Sequence, residues 1–140
     1  MSSKFKAPKP TTTINLFNPV HVFGFNNNTR ENIAYLDEET LLYSAGKHLV
    51  LHTPLNQSQR FIAVKDSVSI SVVSVCAAHG ICAVAVATEK VPFIAIYDLV
   101  TLKRKKVMSL PESTTAKNIL SMCISLDGKY ALCLTGETDW

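Results

Sequence analysis

Two stretches of this 140-residue chain copy one another, and that copying restricts the possible folds more than any other feature. Ser74-Val-Cys-Ala-Ala-His-Gly-Ile-Cys-Ala-Val-Ala-Val-Ala-Thr-Glu89 registers without a gap on Met122-Cys-Ile-Ser-Leu-Asp-Gly-Lys-Tyr-Ala-Leu-Cys-Leu-Thr-Gly-Glu137, at an offset of 48 residues. Gly80 falls on Gly128, Ala83 on Ala131, Glu89 on Glu137 and His79 on Asp127. Each unit reads as strand, tight turn and small-residue strand. Asp-Gly favours a hairpin in which both central residues tolerate positive φ. A fainter copy, Ile33-Ala-Tyr-Leu-Asp-Glu-Glu-Thr-Leu-Leu-Tyr-Ser-Ala-Gly46, lies about 41 residues upstream. The following strands match as well: His48-Leu-Val-Leu-His52 corresponds to Phe93-Ile-Ala-Ile-Tyr97, and Arg60-Phe-Ile-Ala-Val64 to Lys105-Lys-Val-Met-Ser-Leu110.

Short blocks rich in Val and Ile, punctuated by Gly, Asp, Asn or Pro, predict strands rather than helices. The expected strands are Pro19–Phe25, Asn32–Leu36, Leu41–Ala45, His48–His52, Arg60–Val64, Ser69–Ala77, Ile81–Thr88, Phe93–Leu99, Lys105–Leu110, Leu120–Ser125 and Tyr130–Thr135. The run Ile81-Cys-Ala-Val-Ala-Val-Ala87 is apolar on both faces of its pleat, so both faces must be covered. Four strands per repeat of 40 to 50 residues is the blade of a β-propeller. The fold class expected is therefore all-β, about two and a half blades of a propeller. Pro19–Phe25 would be the outer strand that closes the ring. Because a propeller needs about four blades to close, the chain is expected to be a piece of a longer protein.

Residues 1–17 form the first expected segment and 18–140 the propeller part. The opening MSSKFKAPKPTTT has three lysines, two prolines and little to bury, the composition of a flexible basic arm. Those three lysines account for the whole formal charge of +3, so the body is balanced. A balanced body argues against nucleic-acid binding, which draws on many phosphate contacts from a basic face. No stretch reaches the roughly 18 apolar residues of a membrane span, and no signal peptide is recognisable. Cys76, Cys82, Cys123 and Cys133 form no C-x-x-C pair and sit among apolar neighbours, so reduced, buried thiols are expected.

Candidate chemistry is sparse. His48 and His52 are spaced i and i+4 but read as part of a strand, with no acidic residue or cysteine close in sequence. Cys76 and Cys82 flank a tight turn and could approach each other, but neighbouring thiols in a β core are commonly inert. No G-x-S-x-G occurs, and the five glycines fit neither G-x-G-x-x-G nor a phosphate-binding loop. No catalytic residue, cofactor or metal is therefore expected. The one dense charge run, Lys103, Arg104, Lys105 and Lys106, is placed by the repeat in the hairpin between the two outer strands of the second blade. It reads either as a solvated turn that blunts a sheet edge or as a candidate electrostatic contact with an acidic surface such as tubulin, aided by the lysines of the arm.

His21-Val-Phe-Gly24, the stretch Asn32-Ile-Ala-Tyr-Leu-Asp-Glu-Glu-Thr-Leu-Leu-Tyr-Ser-Ala-Gly-Lys-His48 and Gln59-Arg-Phe-Ile62 resemble the opening of the ciliary WD-repeat proteins. Ile94-Ala-Ile-Tyr-Asp-Leu99, Lys103-Arg-Lys-Lys-Val107 and Ser125-Leu-Asp-Gly-Lys-Tyr-Ala-Leu132 resemble their second and third blades, so the likeness runs from Val20 to Trp140. Tyr97-Asp98 in place of Trp-Asp is a generic WD-repeat feature, whereas the Leu36-Asp-Glu-Glu-Thr-Leu-Leu42 turn is more particular to the ciliary proteins. The resemblance implies a non-enzymatic scaffold of the ciliary axoneme with propellers and a coiled coil. It would lie along doublet microtubules in a large complex and help to position inner dynein arms and regulatory complexes. The alternative is a WD-repeat adaptor of the cytoplasm or nucleus, serving vesicle traffic or ubiquitin ligation.

Overall fold

A computed structural model describes residues 19–111 and 114–136. The expected basic arm at 1–17 lies outside the described residues. Ten strands follow in order: β1 Ile33–Tyr35, β2 Leu41–Ala45, β3 His48–Thr53, β4 Ser58–Ala63, β5 Ser69–Cys76, β6 Ile81–Ala87, β7 Phe93–Asp98, β8 Lys103–Ser109, β9 Asn118–Ile124 and β10 Ala131–Gly136. They form two four-stranded antiparallel sheets, β1-β2-β3-β4 and β5-β6-β7-β8, and a two-stranded sheet of β9 and β10. Each sheet is a meander of hairpins in sequence order, the strand order of a propeller blade. The chain is all-β: two blades and the first half of a third, an arc of a propeller that is not closed.

Side-chain alternation stacks the blades. On β6, Cys82, Val84 and Val86 point toward blade 1 and join Leu42, Leu49, Leu51 and Ile62 in one buried cluster. Ala83 and Ala85 point the other way and join Ile119 and Met122 of β9 in a second. Residues 82–86 are all fully buried, as the two-faced apolar pattern requires. Removing a Leu49-sized side chain from water contributes about 1.5–3 kcal/mol, so the two interfaces supply most of the adhesion between blades.

Backbone and hydroxyl groups fix the register between neighbouring blades. Arg30 N–H donates to Ser71 C=O at 2.9 Å, and Val73 N–H donates to Arg30 C=O at 3.3 Å. This parallel bridge lands where β5 carries an extra residue between Ile70 and Val72. Thr29 Oγ1 adds a bond to Ile70 C=O at 2.9 Å. Toward blade 3, Ile124 N–H donates to the buried Ser74 hydroxyl at 3.1 Å. A strand serine that looks out of place in an apolar run is thus the clamp between two sheets.

Four expectations change. Pro19–Phe25 forms no strand ladder: Val22 is held by the Gln59 carboxamide, whose Oε1 accepts from Val22 N–H at 2.8 Å, and Asn26 N–H donates to Ser44 C=O. Without a partner strand alongside, an alternating apolar pattern has nothing to pair with. The hairpins at Gly80 and Gly128 place only the glycine at positive φ, +58° and +68°, after a turn closed from Ala77 and from Ser125. They are turns followed by a left-handed glycine, not the expected pair of positive-φ residues. Cys76 and Cys82 lie on opposite faces of blade 2, Cys82 toward blade 1 and Cys76 donating its thiol to Leu126 C=O of blade 3 at 3.5 Å. Cys82 is buried, which pushes its thiol up to about 12, whereas Cys123 is exposed because it sits on the face of β9 turned away from blade 2.

Candidate functional site

The four cations Lys103, Arg104, Lys105 and Lys106 are not in a hairpin. They open β8, the outermost strand of blade 2, and the turn ends before them at Leu102, whose φ is +58°. The turn is built by Asp98: one carboxylate oxygen accepts from Val100 N–H at 3.0 Å and Thr101 N–H at 2.7 Å. The other meets Lys105 Nζ at 2.8 Å. The Lys105 ammonium, and then the Thr101 amide, hold the Asp98 carboxyl well below the usual carboxylate range. An outer strand tolerates this charge because its outer edge and rim are solvated, and lysines there discourage edge-to-edge pairing.

A β-bulge divides the run. Arg104 pairs with Tyr97, Lys106 pairs with Ile96, and Lys105 is the residue left over between them. In a regular strand, positions 104 and 106 would share a face. The extra residue turns them apart. Arg104 takes the side of Tyr97, which faces blade 1, and Lys106 takes the side of Ile96, which faces blade 3.

Each half borders a cleft. On the blade 1 side, Lys103 and Arg104 join Lys65, Leu102, Tyr97 and the free edge of β4 around about 400 Å³. Arg104 Nη1 lies 3.4 Å from Asp66 Oδ2, an exposed pair with side chains 37% and 73% accessible. Burial pushes the Tyr97 phenol above its usual value, and Arg104 partly opposes that shift. On the blade 3 side, Lys105 and Lys106 border about 370 Å³ with Ile96, Met108, Ile124 and Tyr130. Sequence reasoning missed Lys65 and Asp66, which reach the run only because blades 1 and 2 stack. The residue left over at Lys105 has no sequence signal, since a bulge is defined by the partner strand.

The two histidines share a face of β3 but not a ligand. His52 Nδ1 lies 3.1 Å from Gln59 Nε2, whose amide also reaches the Tyr43 hydroxyl at 3.2 Å, and no metal-binding group of side chains occurs among the described residues. Among those residues no helix is long and apolar enough to cross a membrane.

No family model matches the chain. Two curated proteins do. Cilia- and flagella-associated protein 57 of Mus musculus is 27% identical over 123 residues, covering 86% of this chain and 10% of the relative. Cilia- and flagella-associated protein 57 C of Tetrahymena thermophila is 27% identical over 124 residues, covering 83% of this chain and again 10% of the relative. The chain thus spans about a tenth of the length of the relatives it matches, and over most of its own length it resembles cilia- and flagella-associated protein 57.

Proposed function

We propose that this chain is part of a non-enzymatic scaffold of the ciliary axoneme. Residues 18–140 contribute propeller blades and residues 1–17 a basic arm. The observation that carries this reading is the likeness of more than four-fifths of the chain to two cilia- and flagella-associated proteins, on a fold whose blades present edges and loops. The partners proposed are doublet microtubules, inner dynein arms and regulatory complexes. Lys103, Arg104, Lys105 and Lys106 would meet an acidic surface among them, as opposite charges steer and orient an encounter.

The experiment is stepwise salt extraction of isolated cilia, with the protein followed by mass spectrometry. Recovery in the salt-resistant axonemal fraction supports the scaffold; a cytosolic or nuclear pool with empty cilia removes it in favour of a non-ciliary adaptor. The basic strand is tested within the same assay. Reversing Lys105 also removes the partner of Asp98, so Lys106→Glu, which leaves that turn intact, is the discriminating variant. Easier release by salt is expected, and unchanged attachment sinks the role given to the run.

A further inference from the structure

We propose that the groove between the outer strands of blades 1 and 2 binds an extended acidic peptide with apolar side chains, supplied by a partner protein and added along the free edge of β4. This inference deepens the reading of the basic strand as a partner surface and rests on it.

Three independent features meet at this groove. The first is an open strand edge: β4 is outermost in its sheet, and Phe61, Ile62 and Ala63 run along the groove. An edge of this kind offers main-chain groups to an incoming strand. The second is an apolar floor with a polar atom to spare. Tyr97 is 3% exposed and lines the groove, and its hydroxyl enters no hydrogen bond with another described residue. The phenol oxygen is not sealed from solvent, and a peptide carbonyl or carboxylate would accept its proton in place of water. The third is sign of charge. Lys65, Lys103 and Arg104 stand around the groove against the single carboxylate of Asp66. Asp66 holds Arg104 only at 3.4 Å and in solvent, a pair of the kind that contributes little and is easily exchanged. An acidic side chain of the peptide would take the place of Asp66. Alternation then follows from strand geometry, since one face of the added strand meets Tyr97 and Leu102 while the other stays wet. Both walls of the groove belong to the described residues, so the site needs no further blade.

Fluorescence anisotropy tests it, with a labelled peptide of alternating Glu and Leu titrated with the full chain as cells make it. The double variant K103E/R104E should weaken binding about tenfold, equivalent to about 1.4 kcal/mol. Asp66→Asn, which releases Arg104 and tolerates the positive φ of +63° found there, should strengthen binding about threefold. That gain cannot come from misfolding. Lys90→Glu, an exposed charge outside the groove, should change nothing, and a Glu/Ser peptide should bind about tenfold more weakly for want of apolar contact. The proposal is overturned if K103E/R104E and Lys90→Glu weaken binding equally, if Asp66→Asn brings no gain, or if the Glu/Ser peptide binds as well. Peptide binding lost while the protein stays on axonemes removes the groove and leaves the scaffold; peptide binding retained by a protein absent from cilia does the reverse.

Discussion

Blades 1 and 2 have the same strand order, yet their sequences are written differently. In blade 2, β6 is buried on both faces, with Val84 and Ala85 at 0% exposure on opposite sides. In blade 1, one face carries Leu42, Leu49 and Leu51 against blade 2, while the other buries Ala45 and Val50 but leaves Ile33 and Tyr35 exposed and the histidines of β3 half-buried. Covering, not strand propensity, separates them. A strand between two sheets needs apolar residues at every position, whereas β3 at the end of the stack keeps that pattern only over Leu49–Leu51 and can carry His48 and His52 on its outer face. Side-chain size follows the same logic: the face of β6 toward β9 is lined by Ala83 and Ala85, which lets Ile119 and Met122 come close.

The largest test of this contrast sets the two faces of blade 1 against each other. Leu49→Ala empties the interface with blade 2 and should cost about 2–5 kcal/mol in a denaturant titration. Tyr35→Ala, on the uncovered face, should stay within about 0.5 kcal/mol. Similar losses for both would mean that the outer face is as structural as the inner one.

A smaller effect separates the turns. Gly46 and Gly128 both have positive φ, +60° and +68°, so alanine at either should cost about 1–2 kcal/mol of backbone strain. At Gly46 a Cβ meets nothing within 4 Å, whereas at Gly128 it comes to 3.1 Å from the His79 ring of the neighbouring blade. Gly128→Ala should therefore be the worse of the two, and equality would show that the stacked hairpins give way freely.

Acid should sharpen the comparison next. Asp98 has a lowered folded-state pKa, so its stabilisation is fully present above the ordinary carboxylate value of about 3.9 and is lost as pH falls through the folded value. Asp37 in blade 1 and Asp127 in blade 3 are lowered in the same direction, by the Glu39 amide and by the Ser125 hydroxyl respectively. Thermal unfolding followed through acid should show a fall in Tm that Asp98→Asn reduces but does not abolish. A variant with the full acid dependence of the parent would exclude Asp98 as a contributor.

The smallest expected effect concerns Ser44, fully buried in blade 1 with a hydroxyl that finds no partner among the described residues. Ser44→Ala removes a desolvated group that gains nothing in return. The melting temperature should stay level or rise slightly, and a clear loss would mean that the hydroxyl is bonded in solution.

Blade 2 is legible in the sequence because its residues encode their surroundings directly. The run Ile81–Ala87 announces two covered faces, and the offset between Gly80 and Gly128 gives the repeat that makes it a blade. What stays hidden depends on partners rather than on local pattern. Pro19–Phe25 alternates like a strand, but a ladder needs a second chain segment beside it. Cys123 has the same apolar neighbours as Cys133, yet Cys123 is exposed and Cys133 is packed against the second cluster, since period-two alternation puts them on opposite sides of blade 3. The basic run reads as a hairpin because charge favours turns, but an outer strand beside solvent accepts it equally well. Lys65 and Asp66 are distant from that run in sequence and meet it only through the stacking of two sheets.

The residue left over at Lys105 has a geometric consequence for anything that grips this rim. Four consecutive cations invite the picture of a single flat plaque, against which one broad acidic surface could lie. With Arg104 and Lys106 turned to opposite flanks, a flat surface can satisfy only half of them at once. A partner that engages all of them must straddle the blade as a two-pronged clip, one prong in each cleft. Such a clip cannot swivel on its seat: it sets the angle at which the blade is mounted as well as the place.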